Sequence, residues 1–199
     1  MKIISVLVTL AAAAVYSQTV FISPAPRNSA NHKVSIDTSR TLTLAKDGVP
    51  GTVIVVPADA TPTAKFAAQE LKRYLTRAIT ADVPIMASIA PGKVNLLIGF
   101  NALSRTLPVK APTLPRDSFI ISHVNANGTD IILIAGNDDA EKDPADLVTK
   151  MNHWGQHFEK ATLFAVYELL ERFLGVRFFF PDDAGIVVPA ARTLLVNPM

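Results

Sequence analysis

The segment ATLFAVYELLERFLGVRFFFPDDAGIVVP, residues 161–189, constrains the fold more than any other part of the chain. Apolar residues recur at helical spacing as far as Leu174, Gly175 stands where a left-handed helix end is wanted, and the pattern then switches to that of a strand. The spacing predicts a helix over 163–174 with Thr162 as its cap, a strand over 176–180, and a turn through Pro181-Asp182-Asp183-Ala184-Gly185. At about 100° per residue, Leu163, Val166, Tyr167, Leu170, Phe173 and Leu174 share one face of the helix. Ala165 and Leu169 widen the apolar arc, Phe164 borders the acidic side, and only Glu168, Glu171 and Arg172 are clearly polar. A helix lying on one sheet needs a narrower stripe. This one is expected to be covered from two sides, and two coverings are open. Either the segment 137–159 folds back over it, or Phe164, Ala165 and Leu169 dock against a neighbouring domain.

The rest of the chain supplies the sheet for that helix. TLTLAKDGVPGTVIVV reads as strands over 41–45 and 52–56, joined by a turn with Asp47-Gly48 and Pro50-Gly51. ATPTAKFAAQELKRYLTRAIT is a helix with Thr61 as N-cap and Pro62 at its first position. Ala64, Ala67, Ala68, Leu71, Leu75 and Ala78 form its inner face, and the small alanines imply close approach to whatever packs there. Strands follow over 94–99, 118–124 and 130–136, the last two joined by a hairpin turn at Asn127-Gly128. Residues 101–116 and 137–159 read as surface connections, and short strands over 186–188 and 193–196 complete the chain. The order β-β-α-β-β-β-α-β-β predicts an α+β fold, a two-layer α/β sandwich with a mixed, mostly antiparallel sheet and two helices on one face.

Composition narrows the setting. MKIISVLVTLAAAAVYSQT carries one early cation and an apolar run too short to span a hydrocarbon core of about 30 Å, ending in small residues. Residues 1–17 are therefore expected to be a cleaved secretory signal, 18–40 a polar lead-in, and 41–199 a single domain, periplasmic or extracellular and free of the membrane after cleavage. The chain has no cysteine, which excludes disulfides and thiol chemistry. Lys and Arg total 19 against 17 Asp and Glu, and the cations are scattered, so nucleic acid is not an expected partner.

Candidates for chemistry are few. Glycoside hydrolysis needs two carboxylates about 5–9.5 Å apart across a sugar bond. Glu168 and Glu171 have the sequence spacing but sit beside Arg172 on the solvated flank of the helix, and Glu70 is placed similarly on the first helix. His153 and His157 in HWGQH are one helical turn apart, yet Trp154 stands where a zinc hydrolase carries glutamate, so no metal site is expected. GNDDAEKDPAD is acidic but lacks the alternation of a calcium loop. The chain has no G-x-S-x-G, phosphate loop or dinucleotide fingerprint, and no cofactor and no catalytic residue is expected. Trp154 is the one candidate for stacking on a sugar ring, the alternative being that it packs on its own domain. Arg177 falls on the strand face opposite Val176, Phe178 and Phe180. It either reaches a neighbouring domain or is solvated.

The blocks AAQELKRYLTRAITADVPI, DSFIIS with DIILIAGND, and TLFAVYELLERFLGVRFFFPDDAGIVVP together resemble the N-terminal domain of bacterial alpha-glucuronidases and related secreted glycoside-hydrolase-like proteins. They are also similar to the N-terminal domain of beta-hexosaminidases. The resemblance runs from about residue 42 to 189. It implies a non-catalytic accessory domain of a polysaccharide-degrading glycoside hydrolase, docked against a catalytic (β/α)₈ barrel that follows or is a separate chain. Carbohydrate is a further expected partner if the chain is instead a free-standing carbohydrate-binding module.

Overall fold

The computed structural model describes residues 19–21, 35–109, 113–146 and 158–198. The signal-like residues 1–17 lie outside them, as does Trp154 with both histidines of its motif.

The architecture is an α+β sandwich. Its main sheet has five strands in the order β5 (Ile85–Met86), β4 (Thr52–Val55), β6 (Val94–Ile98), β8 (Thr129–Gly136) and β7 (Phe119–Ala126). β5, β4, β6 and β8 run parallel, and β7 closes the edge as an antiparallel hairpin in register from Phe119↔Gly136 to Ala126↔Thr129. The hairpin turns at Asn127 and Gly128, both with positive φ, as the sequence predicts. A second sheet has the order β1 (Thr19–Phe21), β11 (Thr193–Val196), β2 (Leu42–Lys46), β3 (Val49–Pro50); β1 is parallel to β11 and the rest are antiparallel. A two-stranded antiparallel ribbon pairs β9 (Arg177–Phe178) with β10 (Ile186–Val187). The stretch read as a lead-in thus contributes a strand to the second sheet.

Helix α1 (Pro62–Ile79) packs on β4 and β6, helix α2 (Ala161–Phe173) packs on β7 and β8, and the two helices lie against each other. α1 begins as its sequence dictates. The Thr61 hydroxyl accepts from the Ala64 amide at 3.1 Å with Pro62 at the first position, and Thr80 closes the helix in the left-handed region. Its alanine face is buried in a core shared with Leu96, Ile98, Ile132 and Ile134 from the sheet, Leu44 and Leu194 from the second sheet, and α2.

The opposite face of the main sheet is also buried. Val53, Val55, Leu97, Ile131, Leu133 and Ala135 form a second core, against which Ile89, Phe100, Leu103, Leu107 and Val109 pack. Residues 101–109 are therefore not a plain surface connection: Asn101 and Ser104 are buried and bond each other through side chain and backbone, forming a compact turn that covers the sheet. Burial on both faces explains why β4 and β6 read as continuous apolar runs, the habit of parallel strands. The polar exception in β6, Asn95, is buried and fully used: its amide accepts from the Ala90 amide at 2.7 Å and donates to the carbonyls of Ala90, Lys93 and Asp130.

Two local readings change. Thr162 is not the cap of α2. It lies in the first turn, where its hydroxyl accepts from the Gly136 amide at 3.0 Å, and the capping oxygen belongs to Asp138, which accepts from the Thr162 amide at 2.9 Å. This geometry presses β8 onto the helix start, and a Cβ on Gly136 would lie 2.6 Å from that of Ala161. The strand expected over 176–180 stops at Phe178, because the chain beyond it bends back tightly.

Candidate functional site

The wide apolar arc of α2 is used inside the chain. Ala165 and Leu169, expected at a docking surface, are buried in the main core at 0% and 1% exposure. The reason is lateral: α1 lies beside α2 in the same layer, so the sheet covers one flank of the arc and the alanine-rich helix covers another. Of the three expected residues, only Phe164 faces outward, at 39% exposure, with the Lys160 ammonium 5.7 Å from its ring and 4.8 Å from that of Phe158. Arg177 is exposed but engaged. Its guanidinium donates to the carbonyls of Glu171 at 2.7 Å and Val176 at 2.8 Å, closing the end of α2.

Two of the carboxylates weighed for acid–base work, Glu168 and Glu70, serve structure. Glu168 accepts from the Arg172 guanidinium one turn along, with both side chains nearly buried. Glu70 accepts from the Tyr167 hydroxyl at 2.8 Å. Burial first, and that carboxylate second, push the Tyr167 phenol far above the ordinary tyrosine range. Asp138 joins the starts of both helices, accepting from the Thr162 amide and, at 3.1 Å, from the Thr61 hydroxyl. Burial raises its pKa against the opposing pull of those hydrogen bonds. His123, Asn125 and Arg40 converge on one oxygen of Asp130 at 2.9, 3.0 and 2.8 Å. Burial there opposes ionisation, but the hydrogen bonds and the Arg40 charge outweigh it and lower the carboxyl's pKa. Among the described residues, no group of three His, Cys, Asp or Glu could hold a metal ion, and no helix is long and apolar enough to cross a membrane.

Among the described residues, a further uncovered apolar feature lies where the sequence predicts the rest of a strand. Phe179 and Phe180 are 69% and 59% exposed, at the rim of a groove of about 430 Å³. Tyr74, Tyr167 and Phe178 line its interior, with Pro181 and Ile186 beyond. Phe178 meets Tyr74 and Tyr167 edge-on, at ring separations of 5.3 and 5.2 Å. The loop carrying the two exposed rings is held firmly. The Phe179 amide donates to the Gly185 carbonyl at 2.9 Å, and Asp182 caps the short 3-10 turn Asp183–Gly185. Gly185 passes so close to Phe180 that a Cβ there would sit 2.1 Å from the Phe180 carbonyl oxygen. From α1, Arg73 and Arg77 both grip Asp183, at 2.8 and 3.3 Å. The run Phe178-Phe179-Phe180-Pro181 ahead of Asp-Asp-Ala-Gly is the sequence signal for this ridge; strand alternation assigned its rings to a sheet face instead.

Residues 39–141 match the model described as the Glycosyl hydrolase family 67 N-terminus, over half of the chain, and the protein belongs to that family. Solved structures similar to it include a family GH115 4-O-methyl-alpha-glucuronidase with specificity for decorated arabinogalactans. That match has 14% identity and a TM-score of 0.44, and covers 77% of this chain and 18% of that one. The chain thus spans about a fifth of that protein. No curated protein matches it.

Proposed function

We propose that this protein is a non-catalytic accessory domain of a glycoside hydrolase of the alpha-glucuronidase type, exported with residues 1–17 removed, that binds and steadies a catalytic barrel. The observation carrying the reading is the family match, because that family describes the N-terminal part of such enzymes and not the part that cleaves the sugar bond. The commitments of Glu168 to Arg172 and of Glu70 to Tyr167 agree with it, since a general acid and its partner need carboxylates free to meet substrate. The barrel supplies the acid and the nucleophile or base; this domain supplies a rigid flank. Calorimetric titration against the catalytic part of a family 67 glycosyl hydrolase, prepared without its own N-terminal domain, tests the reading. Saturable binding and a higher melting temperature of the catalytic part are expected. Release of glucuronic acid from an aldobiouronic substrate by this chain alone would overturn it.

A further inference from the structure

We propose that the Phe179–Phe180 ridge and its groove, and not the flank of α2, form the docking surface for the catalytic part of the hydrolase, and that the partner's matching surface is apolar and near neutral. This rests on the accessory-domain reading and names the surface through which it acts. Phe179 is the most exposed of the described large apolar side chains, and Phe180 follows it directly in the chain. Adjacent exposed aromatics of this size mark contact surfaces on soluble proteins. The ridge is also set in place beforehand by the Gly185–Phe180 approach, the Asp182 cap and the two arginines on Asp183, so little ordering cost remains for binding.

The groove's polar groups indicate what fits. The Tyr167 hydroxyl is spent on Glu70, and one Asp182 oxygen on the Ala184 amide. Tyr74 is buried. What remains facing outward is largely carbon, which suits apolar side chains and offers few hydrogen bonds to the hydroxyls of a sugar. The rim is balanced as well: Arg73 and Arg77 share Asp183, with the exposed Asp182 beside them. Among the described residues no cation lines the groove itself, so it offers an acidic sugar or a nucleic acid little, whereas an apolar protein face finds a match.

The test uses the mature chain and the double variant F179S/F180S, with Val49→Ser as control, since Val49 is equally exposed but on the second sheet. The probe is the catalytic part of a family 67 glycosyl hydrolase lacking its own N-terminal domain, titrated by calorimetry. Because both rings are exposed, the double variant should keep its melting temperature. Its affinity should fall at least tenfold, and V49S should bind as the parent does. Unchanged affinity in F179S/F180S would overturn the assignment of the surface while leaving the accessory role intact. Failure of the parent chain itself to bind would remove both. Binding of xylo-oligosaccharides that is lost in F179S/F180S, with protein binding unchanged, would make the ridge a sugar site and overturn the proposal.

Discussion

At the scale of single residues, α2 separates what an apolar side chain contributes inside from what it offers outside. Leu169 is buried among the two helices and the sheet, so Leu169→Ala is expected to cost about 2–5 kcal/mol of unfolding free energy. Phe164→Ser, five residues earlier and partly exposed, should cost less, about 1–2 kcal/mol, because only part of its ring is covered. Urea denaturation of both variants checks the pair, and a costly Phe164 with a neutral Leu169 would reverse the packing described. Asp138 is a second residue whose role is nonlocal. Truncation to alanine removes the cap of α2 and the partner of the Thr61 hydroxyl, with an expected loss of about 1–2 kcal/mol. Asp138→Asn isolates the charge. Because burial raises the folded-state pKa of Asp138, its contribution to stability is full below the ordinary carboxylate value and is lost as pH rises through the raised one. Wild-type protein should therefore gain stability relative to Asp138→Asn as pH is lowered from 7 toward 4. A difference that is flat with pH, or opposite in sign, would contradict the assignment.

At the scale of elements, local signals and nonlocal contacts divide what the sequence discloses. α1 was legible from Thr61-Pro62 to its alanine stripe because caps and periodicity are local, and the β7–β8 hairpin was legible because Asn127-Gly128 dictates its turn. The parallel pairing of β4, β6 and β8 was not, since short apolar runs look alike in either direction and the cover over the second face comes from the irregular segment 100–109. The width of the α2 arc is plain in the sequence, but its cause is the neighbouring α1, a contact about 100 residues distant in sequence that no periodicity reports. The ridge is hidden from the sequence for a similar reason. Alternation over 176–180 suggests a strand, and only the backbone approach of Gly185 to Phe180 ends it at Phe178. Close approach likewise governs the junction of β8 with α2. Gly136→Ala places a methyl group against the Cβ and backbone of Ala161 and the Ser118 carbonyl, and should cost about 1–3 kcal/mol, read as a lowered urea midpoint.

At the scale of the whole molecule, a small α+β fold buries both faces of its main sheet and, among the described residues, leaves two adjacent phenylalanine rings exposed on a braced loop. Each exposed phenylalanine that becomes fully covered on association contributes on the order of 1.5–3 kcal/mol. Two such rings and the groove behind them are the apolar surface through which the proposed docking would act. Export belongs to this scale too: protein recovered from culture fluid or periplasm is expected to begin at Gln18, as N-terminal sequencing would read, and an intact Met1 there would contradict signal cleavage. The docking account is tested most directly by amide hydrogen exchange on the chain with and without the catalytic part of a family 67 glycosyl hydrolase. The account predicts slowed exchange concentrated in residues 178–187 and the facing turns of α1; protection confined to the outer flank of α2, or none anywhere, would contradict it.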